Sequence, residues 1–133
     1  MEIIIDTSAL LAVLCEQPEK TMLVQLTKGA TLVAPLSLHW EIGNALSAMF
    51  KRRTIELETA KKVLAVYGAI PVRLLDIPLR QAVELSKQLD IYAYDAYFIA
   101  CALNQKAPIL TLDRELRDRA KSLKLSVLEL STI

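Results

Sequence analysis

Very short apolar runs alternate along this chain with much longer helical stretches, and that alternation restricts the fold more than any other feature. Residues 2–5, 31–34, 72–75 and 109–112 read as strands rich in Ile, Val and Leu. They show no regular polar alternation, so each is expected to be buried on both faces, as in a parallel sheet covered above and below by helices. Between them, residues 9–14 form an apolar helix capped by Thr7 or Ser8. Pro18 opens a second helix through Met22, Leu23 and Leu26 that Gly29 ends. Pro35 closes the second strand, and a long helix runs from Ser37 or Leu38 to about Arg52. Residues 56–67 supply another helix, stopped by Gly68. Helices over 78–89, 93–104 and 114–123 follow, and 127–130 reads as a last, edge strand. The expectation is a single domain spanning residues 1–133, of the α/β class.

Composition excludes several functions. Apolar residues make up 53% of the chain and the mean hydropathy is +0.35. Even so, the longest stretch without a charge, residues 29–40, is twelve residues long and holds a proline, too short for a span of about 20 residues. The opening MEIIID carries an acid where a secretory signal would carry Lys or Arg, which predicts a cytoplasmic protein that begins at Met1. Cys15 and Cys101 each stand alone in an apolar stretch and read as reduced core residues. With His39 the single histidine, neither a zinc-type N/S cluster nor a histidine acid–base pair can be assembled. Three glycines give no phosphate-binding or dinucleotide fingerprint. The net charge of +1 lacks the excess by which basic proteins hold nucleic acid, so a polyanionic substrate would need local recognition.

Four carboxylates carry the chemistry. Asp6 follows the first strand and Asp113 the fourth, at the carboxyl ends where ligands bind in open α/β sheets. An Asp between strand and helix is also a routine cap, so position alone leaves both readings open. Glu41 and Asp95 fall inside helices on otherwise apolar stripes, with Leu38, Ala45 and Ala48 around the first and Ile91, Phe98, Ile99 and Ala102 around the second. Acids pushed toward a core and toward each other raise one another's pKa unless a cation intervenes. Oxygen-only ligands suit Mg2+ or Mn2+, and such ions assist phosphodiester hydrolysis.

The segments IIIDTSALL (3–11), HWEIGNAL (39–46), YAYDAYFIACA (92–102) and ILTLDREL (109–116) resemble, in order, the motifs of the PIN-domain nucleases, and within them the toxins of VapBC-type toxin–antitoxin pairs. The resemblance implies a three-layer α/β/α sandwich with a central, mostly parallel sheet of four or five short strands. It also implies a homodimer, Mg2+- or Mn2+-dependent endoribonuclease activity on RNA, and inhibition by a small antitoxin protein. It maps the acidic quartet onto Asp6, Glu41, Asp95 and Asp113, with Ser8 and Thr111 as supporting hydroxyls and Asn44 as a further hydrogen-bonding support.

Other residues read more plainly. Lys51, Arg52 and Arg53 suit the negative end of a helix dipole, with contact to RNA backbone as the alternative. Arg114 lies near the quartet, on a basic helix that otherwise reads as a solvated face. Tyr92, Tyr94, Tyr97 and Phe98 read as core or dimer packing, and Trp40 as groove lining or core. Two competing functions are a PIN-like binding module without turnover and a phospho-accepting signalling domain using Asp6 and Asp76. The second wants an acidic pair after the first strand and a Lys after the last, and the chain has neither.

Overall fold

The computed structural model describes residues 1–130. In chain order the elements are β1 (Glu2–Ile5), α1 (Thr7–Leu14), α2 (Lys20–Thr27), β2 (Thr31–Pro35), α3 (Ser37–Lys51), α4 (Leu57–Ala69), β3 (Val72–Leu75), α5 (Leu79–Leu89), α6 (Ala93–Gln105), β4 (Ile109–Leu110) and α7 (Arg114–Ser122). All strand pairs are parallel and the order is β3-β2-β1-β4. Successive connections therefore move outward from β1 to β2 to β3, and β4 then joins on the other side of β1. That reversal opens a crevice beyond the carboxyl ends of β1 and β4, where a ligand meets both strand ends.

Burial explains why the short runs form a sheet. Ile3, Ile4 and Ile5 of β1 are almost completely buried, as are Val33, Ala34, Ile109 and Leu110 on its neighbours. Burying one such side chain contributes about 1.5–3 kcal/mol, so a four-residue strand at the centre is held by packing more than by propensity. α6 lies across β1, β2 and β4 and packs on α5, while α1 contacts α2, α3 and α4. Helices thus flank the sheet in the expected α/β/α arrangement. Among the described residues no helix is long and apolar enough to cross a membrane.

Several boundaries differ from the sequence reading for identifiable reasons. Asp6, rather than Thr7 or Ser8, caps α1, its carboxylate accepting the backbone N–H of Ala9. Pro18 precedes α2, which starts at Lys20 after Glu19. Pro35 is itself the last residue of β2, pairing with Leu75. Gly68 does not stop α4, which continues to Ala69 because a lone glycine costs a helix only about 1 kcal/mol. Gly29 does follow a helix end, in the positive-φ region that suits glycine. β4 is two residues long, and shortly beyond it the N–H of Leu112 donates to Ser8 Oγ and that of Asp113 to Thr111 Oγ1, so neither joins the ladder. The proposed last strand is reduced to one parallel bridge between Ile109 and Val127.

Candidate active site

The N-terminal two turns of α1, α3 and α6, with the end of β1 and the N-cap of α7, converge on one cleft of about 260 Å3, lined by Asp6, Thr7, Ser8, Leu11, Glu41, Asp95, Phe98 and Asp113. All four carboxylates singled out from the sequence line it. Asp6 is buried at the switch point, with Oδ1 accepting from Ala9 N at 3.0 Å and from Ser8 Oγ at 2.8 Å, and Oδ2 from Thr111 Oγ1. Thr111 is equally buried and lies 3.3 Å from Ser8, so β1, α1 and β4 are tied together through one carboxylate. Asp113 caps α7, its Oδ1 accepting from Glu115 N at 2.9 Å and Leu116 N at 3.2 Å. Glu41 comes from the second turn of α3 and is half-buried, accepting from Thr7 Oγ1 at 3.1 Å and Ser37 Oγ at 3.0 Å. Asp95 lies in the first turn of α6 and is half-buried.

The electrostatics show charges crowded without compensation. Burial pushes the Asp6 carboxyl up to about 6, against the hydrogen bonds from Thr111, Ala9 and Ser8, and the charge of Asp113 adds to the rise. Burial likewise takes Glu41 up to about 7, opposed by Ser37 and Thr7 and reinforced by Asp95 and Asp6. Asp95 is raised by burial, then by the charges of Asp113 and Glu115. Among the described residues no Lys, Arg or His lines the cleft, and none of the four acids forms an ion pair.

Oxygen donors without nitrogen or sulfur fit a hard divalent cation. Among the described residues no three Asp, Glu, His or Cys side chains form a ready-made metal centre. The arrangement therefore suits an ion such as Mg2+, which takes one or two carboxylates directly and keeps several waters, rather than a dry protein cage.

Other residues singled out from the sequence lie elsewhere. Asn44 is exposed, and among the described residues its side chain has no hydrogen bond. Lys51, Arg52 and Arg53 are exposed at the far end of α3, about 15 Å along the helix from Glu41. Arg114 is exposed beside Asp113 but faces a shallow depression with Asp118 and Arg119. Asp76 follows the edge strand β3, with β2 between it and the strand that carries Asp6, so the two aspartates do not form a pair. Trp40, Tyr92 and Tyr94 are 61%, 88% and 56% exposed, so none is core, while Phe98 is buried and Tyr97 half-buried. Three polar neighbours of the cleft escaped the sequence reading: Thr7, Ser37 and Glu115. Ser37 stands four residues before Glu41 on one helix, a spacing that shows the contact in advance. Glu115, which raises Asp95, lies two residues after Asp113, and only the fold, which sets it around one depression with Asp90, Tyr92 and Asp95, exposes its influence.

By sequence, no curated protein matches the chain. Among solved structures it resembles PAE2754 of Pyrobaculum aerophilum, with a TM-score of 0.72 and 22% identity over 99% of this chain and 91% of that one. It resembles VapBC2 of Rickettsia felis, solved with a fragment of promoter DNA, with a TM-score of 0.70 and 14% identity over 96% and 98%. VapC20 of Mycobacterium tuberculosis, a toxin that cleaves the sarcin-ricin loop, follows with 0.63 and 13% over 87% and 93%. These likenesses are of fold. The sequence profile of the PIN domain matches residues 3–122, nearly the whole chain, and the chain belongs to the PIN domain family.

Proposed function

We propose that this protein is a metal-dependent endoribonuclease, the toxin half of a toxin–antitoxin pair of the VapBC kind. One observation carries the reading: four carboxylates from four separate segments line one cleft at the sheet's switch point, and among the described residues no basic side chain in it balances them. PIN-domain membership and the VapC-like fold support it.

Asp6, Glu41, Asp95 and Asp113 would hold Mg2+ or Mn2+, in part through water. A bound cation supplies positive charge to the phosphate oxygens and makes water more acidic. The protein's share is orientation. Ser8 and Thr111 fix the Asp6 carboxylate through three hydroxyl contacts, and the α7 N-terminus fixes Asp113. Thr7 and Ser37 hold one oxygen each of Glu41, which in the cation-free protein exchanges a proton near neutral pH. Such supporting donors keep carboxylates in the geometry that cation and substrate need. Phe98 and Leu11 supply the apolar part of the cleft's lining.

The same reading includes an antitoxin, a homodimer, a cytoplasmic setting and one nuclease domain over residues 1–133. VapBC2 and FitAcB of Neisseria gonorrhoeae, two fold relatives, carry the names of such pairs. Between α1, α3 and α4 this chain has a groove of about 680 Å3, with apolar walls that include Val13, Met49, Ile55 and Val63 and a rim that includes Lys20, Arg52 and Lys62. It suits a mostly apolar segment whose acids meet Arg52 and Lys62, Lys20 being paired with Glu16 on the same rim.

The test is cleavage of a labelled single-stranded RNA by the purified chain. Activity is expected with Mg2+ or Mn2+, none with EDTA, and at most traces in a folded Asp6→Asn variant. Cleavage that survives EDTA, or survives the substitution at wild-type rate, contradicts the mechanism. Metal-dependent RNA binding without cleavage would instead establish a binding module.

A further inference from the structure

A second concavity lies beside the carboxylate cleft. Its volume is about 360 Å3, and Pro35, Ser37, Trp40, Asp76, Tyr94 and Tyr97 are among its lining residues. The wall between the two is made by the opening turns of two helices. On α3, Ser37 lines the second cavity while donating its hydroxyl to Glu41 of the first. On α6, Tyr94 and Tyr97 face the second cavity, and their sequence neighbours Asp95 and Phe98 face the first. A ligand crossing this wall places one part against carboxylates and the adjoining part against aromatic rings.

We propose that the second cavity is a subsite for one unstacked nucleobase of the RNA strand, on the nucleotide next to the phosphate held at the carboxylates. The inference rests on the nuclease reading and names its substrate more closely: a single-stranded or looped RNA whose base can leave its stack. Three observations favour a base over another apolar occupant. Only the opening turns of α3 and α6 part the cavity from the acidic cleft, it carries three aromatic rings with Tyr94 and Tyr97 set edge to face at 6.1 Å, and Ser37, Asp76, the tyrosine hydroxyls and the Trp40 indole N–H give it polar groups for a base edge. Trp40 is largely exposed and offers a face for stacking, which is how single strands are held without a basic groove. The Asp76 carboxylate accepts N–H groups of a base edge and repels phosphate, so the base, not the backbone, enters here.

Trp40 is the single tryptophan of the chain, so it reports on its own site. The experiment titrates the folded, full-length Asp6→Asn variant in Mg2+ with a single-stranded oligoribonucleotide, then with the same oligonucleotide carrying one abasic nucleotide, and follows tryptophan emission. Saturable quenching by the first and much weaker quenching by the second is the expected result. In parallel, Trp40→Ala and Tyr94→Ala should raise KM for cleavage about tenfold with a much smaller loss of kcat, and Trp40→Phe should restore it. Equal quenching by both oligonucleotides, or an unchanged KM in both alanine variants, overturns the subsite and leaves the nuclease reading intact. Emission that responds to protein concentration and not to RNA also overturns it, marking this face as a contact between copies of the chain. Base-dependent quenching when the wild type never cleaves upholds the subsite and removes the nuclease.

Discussion

The carboxylate cleft and the groove between α1, α3 and α4 are built by opposite means. In the cleft, charged side chains are held by strand ends, helix caps and five hydroxyl contacts to Asp6 and Glu41. In the groove, apolar side chains of three helices leave a wider opening, and its charges are of both signs, with Lys20 paired to Glu16 at 3.1 Å. Fixed geometry and unbalanced charge suit chemistry; a wide apolar surface with mixed charge suits association. An exchange of one atom should therefore silence the cleft, while the groove should tolerate changes of size as far as cleavage is concerned.

The sharpest contrast comes from Asp95→Asn against Val66→Asp in the groove. The first should lower RNA cleavage roughly 10²–10³-fold with the fold intact, as loss of one organised charge does elsewhere. The second should change it less than about twofold. Equal losses would erase the distinction. Next in size, Ser8→Ala and Thr111→Val should each raise the Mn2+ concentration for half-maximal cleavage about 10- to 100-fold, because they free the Asp6 carboxylate to rotate. A smaller effect is expected of Ser37→Ala. Its hydroxyl stabilises charged Glu41, so its loss raises that carboxyl further and moves the rise of the pH–rate profile to higher pH. Smallest of all, Lys51→Gln and Arg53→Gln should alter KM for a short RNA less than about twofold, since both lie beyond a Debye length of about 8–10 Å from the cleft. A tenfold rise in KM would return the far end of α3 to the substrate path.

Much of this was readable in the residues. Short apolar strands and their helices followed from pattern, but burial on both faces holds for β1 and β4 and the end of β2 only: β3, at the sheet edge, leaves Arg73 exposed and Val72, Leu74 and Leu75 half-buried. Asp6 and Asp113 could be placed by rule at strand ends, and Glu41 and Asp95 stood out as acids on apolar stripes. What escaped was decided by atoms distant in sequence. Beyond β4 the amides of Leu112 and Asp113 turn to the hydroxyls of Ser8 and Thr111 instead of the ladder, and no local pattern announces that. Thr7 meets Glu41 across 34 residues. Trp40 and Tyr94 read equally well as core until packing left their faces open. Asn44 matched a motif yet points to no partner among the described residues, a reminder that spacing along a helix gives a face and not a contact.

The central claim is that a shared divalent cation relieves repulsion among the four acids, and thermal unfolding with and without Mn2+ tests it most directly. Asp6 and Glu41 titrate near 6 and 7 in the folded chain, well above 3.8 and 4.5, so the cation-free fold is favoured by protonation. Its stability should be highest near pH 4–5 and fall as pH rises through 6 and 7. At pH 8, Mn2+ should raise the unfolding temperature of the wild type, and at pH 5 far less. Asp95→Asn should be more stable than wild type without the ion at pH 8 and respond weakly to it. A cation-free protein whose stability rises from pH 5 to 8, with no Mn2+ response that Asp95→Asn removes, would contradict the account.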